Sequence, residues 1–273
     1  MNAEPRRWAG RSVRWTARLL LVLPAAAVLL LAVAGPWLVD TDPGRIVGAP
    51  YHPPGGPLAF GTDYAGRDVW ARLLTGGRSL VVVPALAVLL TTVLGTALGM
   101  LAGYRGGFVD ALVSRFDGAM LAFPPTLAML VLLHGWGYSP LVLIMIILVT
   151  GVSFVSRIAR TATVQVMSQG YVEQAVCLGE SVPSVLFREI LPNIVRPILA
   201  DAGTRLAVAV ALTSAAGFLG FGADEPNWGA MVSENIEGIT LTPWAVVAPA
   251  VCLGVLAVAA NLGLDRLAAR LDG

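Results

Sequence analysis

The feature that most limits this chain is a succession of apolar stretches, separated by polar segments, that are long enough for a lipid bilayer, the fourth only just. They run over residues 19–39, 79–104, from about 115 to 134, 141–156, 206–223, and from 243 or 244 to 264. The first holds 21 residues without a charge, enough for about 30 Å of hydrocarbon. In lipid a backbone cannot hydrogen-bond to water, so spanning segments must satisfy their N–H and C=O groups internally. The expected fold class is therefore all-α: a polytopic membrane protein with six transmembrane helices. Composition agrees, because only 13% of residues are charged where soluble domains carry about 25%. Ala32-Val33-Ala34 mimics a signal-peptidase site, but the apolar core before it exceeds the 7–15 residues of a signal, so residues 19–39 read as a retained helix.

Arginine sets the orientation. All 18 basic residues are arginine, and no lysine occurs. With the N-terminus inside, inner segments hold 13 arginines (five in 1–18, then Arg105, Arg115, Arg157, Arg160, Arg188, Arg196, Arg266 and Arg270). Outer segments hold four, Arg45, Arg67, Arg72 and Arg78, and the eighteenth, Arg205, lies near the start of the fifth span. Positive charge stays on the cytoplasmic side, so both termini are expected there. The expected organisation is a cytoplasmic segment 1–18, a first span 19–39, and an extracytoplasmic loop 40–78. A core 79–264 follows, with a cytoplasmic loop at about 157–196, and then a cytoplasmic tail 265–273. Loop 40–78, rich in Gly and Pro, reads as ordered or extended rather than helical.

Several classes of chemistry are excluded by residue type. Without lysine the chain has no ordinary phosphate-binding P-loop and no Schiff base. Cys177 and Cys252 are isolated, as are His52 and His134, so no metal site, catalytic dyad or disulfide is expected. The net charge of +1, with no long basic patch, gives no reason to expect nucleic acid.

The most informative polar stretch is 171–192, YVEQAVCLGESVPSVLFREILP. Val172, Ala175, Val176 and Gly179 recur at i, i+3, i+4, i+7, one face of a short helix. That face is small, which suits close docking into another protein's groove. Gly179 can stop the helix, since glycine tolerates positive φ. Ser181 can cap a second helix with Pro183 in its first turn, and Pro192 is expected to end it. The stretch resembles the EAA motif of ABC-importer permeases through Glu173, Gln174, Ala175, Gly179, Ile190, Leu191 and Pro192. Gln174 replaces the family's first alanine. The resemblance implies that this loop is the coupling helix pressed into an ATPase subunit.

Residues 60–80, FGTDYAGRDVWARLLTGGRSL, resemble a second signature, that of dipeptide and oligopeptide importer permeases of the C type. Gly61, Thr62, Asp63, Gly66, Arg67 and Asp68 carry it. Asp63, Arg67 and Asp68 are close enough for a local ion network, and the resemblance puts this segment outside, near a substrate-binding protein. Residues 101–110, 121–124 and 214–222, with Pro226, Trp228, Gly229 and Met231, extend the likeness to about residue 264. Two further positions depart from the family: Gly118 stands where it usually has aspartate, with Asp117 one residue and about 100° away. The glutamate often found before the Ser-Phe-Leu-Gly run of the fifth span is missing.

The resemblance implies a type I ABC-importer permease fold in the inner or plasma membrane of a prokaryote, multi-pass. The implied partners are a homologous B-type permease forming a heterodimer, two cytoplasmic ATPase subunits or domains, and an extracytoplasmic solute-binding protein. ATP and Mg would be bound by the ATPases; the chain itself is expected to hold no cofactor and to be no enzyme. Di- or oligopeptides are the implied cargo, with nickel, glutathione or haem as alternatives within the family. Peptide backbones need a wet, wide pathway, for which Thr91, Thr92 and Thr96 in the second span and Thr213, Ser214 and Gly217 in the fifth offer small and hydroxyl groups. The rival reading is a secondary transporter or channel. It calls for intramembrane ionisable residues or an internal repeat, yet spans two, four and six hold no Asp, Glu, Lys or Arg. Asp201 and Arg205, at i, i+4, are expected to pair at the cytoplasmic end of the fifth span.

Overall fold

A computed structural model describes residues 23–39, 42–222 and 225–270. The segment 1–18, the start of the first span, Asp224 and the end of the tail lie outside the described residues. Ten helices account for the architecture: α1 Leu23–Trp37, α2 Val69–Thr75, α3 Arg78–Arg105, α4 Gly107–Leu121, α5 Pro125–Trp136, α6 Pro140–Met167, α7 Gly170–Cys177, α8 Val182–Phe218, α9 Trp228–Asn235 and α10 Trp244–Arg270. No strand occurs among the described residues, only isolated bridges such as Ile46 to Arg67 and Thr62 to Asp68. Three helices, ending α3, α6 and α8, are long and apolar enough to cross a membrane, while Leu23–Trp37 and Trp244–Ala260 are shorter apolar helices.

The chain divides into two compact units, one of residues 1–78 with 226–259 and one of residues 79–225 with 260–273. In the first, the polar segment 42–78 packs with α1, α9 and the start of α10. Trp228 is fully buried, and its indole N–H donates to the Leu73 carbonyl at 2.7 Å. Gly77 must be glycine, because a Cβ there would lie 2.5 Å from the Trp228 ring and 2.7 Å from Ala32 of α1. Phe60 stacks at a tilt between Trp70 and Trp244, at 5.3 and 5.6 Å. The expectation of a helix-free loop over 40–78 is corrected at α2. Asp68 caps it by accepting from the Trp70 N–H at 3.0 Å, which starts a helix from a polar stretch.

In the second unit α3, α5, α6 and α8 share a core that includes Ala87, Met129, Leu143, Ile146, Ala209 and Leu212. α3 and α6 approach closely because their contact is glycine-lined. Side chains at Gly95, Gly99 and Gly103 would meet Val155, Ala159 and Thr163 at 2.6–2.9 Å. Small residues at such crossings are how membrane helices gain dispersion contact where lipid is as apolar as protein.

Three helix boundaries differ from the sequence expectations. The third apolar stretch is not one rod: α4 and α5 meet at a 79° bend. Pro124 and Pro125 remove two adjacent N–H donors, and each disfavours helical backbone in the residue before it. Pro124 accordingly adopts an extended ψ of 125°. The helix of the fifth span starts at Val182 rather than near 206, making one 37-residue rod. Pro192 does not end it. Val185–Ile190 forms a π turn, in which the Leu191 N–H reaches back five residues to the Leu186 carbonyl. The wider turn makes room for the Pro192 ring, which in an α-helix would strike the carbonyl four residues back.

Candidate functional site

The loop that resembles the coupling helix is a closed hairpin within the second unit. α7 ends in a Schellman motif: Gly179 N–H donates to Val176 O at 3.0 Å and Glu180 N–H to Ala175 O at 3.2 Å. Gly179 sits at φ +79°, the left-handed conformation that glycine adopts at least cost. Ser181 occupies the cap position of α8, but its hydroxyl makes no capping bond; instead Ser184 Oγ donates to Glu180 at 2.8 Å.

The small face drawn for docking is corrected in part: Val172 is buried against this chain's own Val185, Ile190 and Ile194 and Ala175 is buried too, while Val176 and Gly179 of the same face stay exposed. The side of the hairpin left open carries Tyr171, Glu173, Gln174, Val176, Leu178 and Phe187, with Leu178 75% and Phe187 63% exposed. Of the motif residues, Ala175 and Ile190 are therefore interior, while Glu173, Gln174, Gly179 and Pro192 are at the surface and Leu191 is half-buried.

The second signature, in the first unit, builds a buried ion cluster. Asp63 is fully buried. Its Oδ1 accepts from the backbone N–H groups of Ala65 and Arg67 at 2.9 and 2.8 Å. Its Oδ2 accepts from Arg67 Nε at 2.8 Å and from Arg72. Arg72, itself only 2% exposed, also reaches Glu234 of α9 at 2.8 Å. Two carboxylates and two guanidiniums thus neutralise one another, which is what lets them stay buried. Burial works against the charge on Arg67, but the Asp63 carboxylate outweighs it and holds the proton more tightly than usual. Asp68 is not in the cluster, contrary to expectation; it caps α2. Thr62 is buried as well, donating to Ala49 O and accepting from His52 N–H, both at 2.7 Å. Gly61 and Gly66, at φ +75° and +79°, turn the chain against the backbone of residues 48–54.

Sequence reasoning missed Arg72, Glu234 and Asn235, whose side chain accepts from the Tyr64 N–H at 2.9 Å. Glu234 and Asn235 lie over 160 residues from their partners. It also missed a paired ion pair in the second unit, where Arg160 of α6 grips both oxygens of Asp110 on α4. Asp201 and Arg205 do pair, at 3.2 Å, and the Arg205 guanidinium stacks 4.2 Å over Phe154. Asp117, not Gly118, is the inward residue of α4, 2% exposed.

The hydroxyl residues named for a pathway lie largely in helix contacts of this chain. Thr91 faces Gly151 of α6, Thr91 and Thr96 are buried, and Thr213 Oγ donates to its own helix at Ala209 O. Gly217 is buried, and Thr92 and Ser214 are half-buried.

Comparison with known proteins places the chain in a family. The model of the family "Binding-protein-dependent transport system inner membrane component" matches residues 95–273. The chain belongs to that family. It is 31% identical to the dipeptide transport system permease protein DppC of Alkalihalophilus pseudofirmus, covering 89% of this chain and 81% of DppC. It is 28% identical to the oligopeptide transport system permease protein OppC of Haemophilus influenzae (92% and 82%). It is 29% identical to the glutathione transport system permease protein GsiD of Pectobacterium atrosepticum (78% and 71%). The fold matches a chain from inward-facing structures of the MetNI methionine ABC transporter with TM-score 0.57 at 16% identity, covering 72% of this chain and 94% of that one. The family member described here is thus an inner-membrane permease component, and the all-α reading holds.

Proposed function

We propose that this permease component imports di- or oligopeptides, forming the pathway with a homologous B-type permease in a six-span arrangement with both termini cytoplasmic. Two partner ATPase subunits supply the energy by binding ATP and Mg, and an extracytoplasmic binding protein delivers the cargo. The cargo class is supported by similarity along most of the chain to permease proteins of dipeptide and oligopeptide transport systems, DppC and OppC. The plasma membrane of a prokaryote is the proposed location.

One observation carries the mechanical part. The 171–192 hairpin is closed by a Schellman turn on one side and by a buried apolar seam on the other. A hairpin closed in this way and continuous with the 37-residue α8 can pass an ATPase movement into a span as a rigid-body displacement. Its exposed Tyr171, Val176, Leu178 and Phe187 are the contact residues, since large apolar groups left on a surface loop mark protein contacts. The loop 61–68 faces the binding protein.

Native Cys177 gives a direct test, because it is exposed on α7. A short thiol-to-amine cross-linker on membranes containing the assembled transporter should join Cys177 to the ATPase subunit. Labelling of Cys177 from the extracytoplasmic side, with transport intact, would overturn the coupling assignment.

A further inference from the structure

Beyond cargo and coupling, α6 carries a cation that makes no ion pair among the described residues. Arg157 is the first charged residue after the uncharged run 141–156, so it stands where the hydrocarbon gives way to the headgroup layer. The other arginine of α6, Arg160, three residues on, is by contrast held by Asp110. Arg157 itself is exposed. It opens instead into a cleft of about 320 Å³ between α6 and α8, lined by Arg157, Ile158, Thr161, Ala162, Gln165 and Pro197.

We propose that this cleft binds the headgroup of an anionic phospholipid, with Arg157 as the phosphate-binding cation. Arg157, Thr161 and Gln165 recur at i, i+4, i+8 and form one polar stripe. Thr161 gives its hydroxyl proton to the Arg157 carbonyl, so the donors offered to a ligand are the Arg157 guanidinium and the Gln165 amide, one on each side of it. The guanidinium fork matches two phosphate oxygens. Ile158, Ala162 and Pro197 supply the apolar wall that acyl chains need. Charge complementarity selects the lipid class, since basic pockets between membrane helices on the cytoplasmic side take anionic headgroups. The assignment to the cytoplasmic leaflet rests on the proposed topology; the binding itself does not.

The test uses the full chain, purified with the subunits that accompany it, in nanodiscs of phosphatidylcholine with and without phosphatidylglycerol. Native mass spectrometry then counts retained phosphatidylglycerol. Arg157→Gln should weaken retention about fivefold, the factor one basic residue contributes near an anionic surface. Arg157→Lys should keep most of it, and Gln165→Ala should lose less than Arg157→Gln. Arg115→Gln, which removes another exposed arginine, should change nothing. Equal loss in Arg157→Gln and Arg115→Gln would overturn the site in favour of diffuse charge attraction. Displacement of phosphatidylglycerol by added dialanine would overturn it in favour of a cargo carboxylate site. Because neither transport nor ATPase docking enters the readout, failure here is distinct from failure of the proposed function.

Discussion

The two units are held by opposite means. The first is locked by charge: Asp63 and Arg72, almost without solvent exposure, close a four-member ion cluster with Arg67 and Glu234. The second is locked by shape: the α3–α6 seam has glycine where any side chain would collide, and its ion pairs sit at the edges. The difference follows from the surroundings each was read to occupy. A water-side segment of turns lacks the apolar area to hold itself together, so it uses buried polar bonds. Helices in lipid gain nothing from hydrophobic transfer and depend on contact distance.

Breaking the charge lock should have the largest effect. Asp63→Ala leaves Arg72 buried without its main counter-charge, a loss of roughly 3–5 kcal/mol. The measurement is thermal aggregation and protease resistance of loop 42–78 in the purified protein. If Asp63→Ala melts like the parent, the cluster is not what holds the first unit. Breaking the shape lock comes next. Gly99→Val would press on Ser156 and Ala159, and overpacking of this kind costs typically 1–3 kcal/mol. A Gly99→Val chain of unchanged stability would mean the seam can open freely.

Smaller effects sharpen the contrast. At Gly179 a Cβ meets open space, so Gly179→Ala tests conformation alone: φ +79° costs an L-residue about 1–2 kcal/mol. Transport should fall while insertion and yield stay normal; unimpaired transport would argue that the hairpin's shape is unimportant for coupling. The smallest effect should be at Asp201–Arg205, half-buried and stacked on Phe154. A double-mutant cycle there should give under about 1 kcal/mol of coupling energy. A value near that of Asp63 would erase the distinction between the two units.

Legibility in the sequence followed the range of each interaction. The coupling hairpin was readable in outline because a helix period and a glycine stop are local signals. What failed there was the destination of half its small face: Val172 turned inward onto Ile190 and Ile194 and Ala175 is buried, while Val176 and Gly179 stayed exposed. The Asp63–Arg67 pair was readable at i, i+4, whereas its Glu234 partner sits 171 residues from Asp63 on another helix, outside any window. Asp68 was assigned to the wrong role, since the same carboxylate spacing serves an ion pair or a helix cap, and only the backbone decides.

The sequence by itself determined the membrane class, the all-α architecture, the positions of the apolar stretches and the left-handed turn at Gly179, because hydropathy, residue charge and glycine's missing Cβ act locally. Tertiary structure alone decided that Arg72 and Glu234 complete the Asp63 cluster, that Val172 turns onto Ile190 and Ile194, and that Arg157 makes no ion pair among the described residues. Each of those depends on which distant segments meet, and one segment's pattern carries no record of its neighbours.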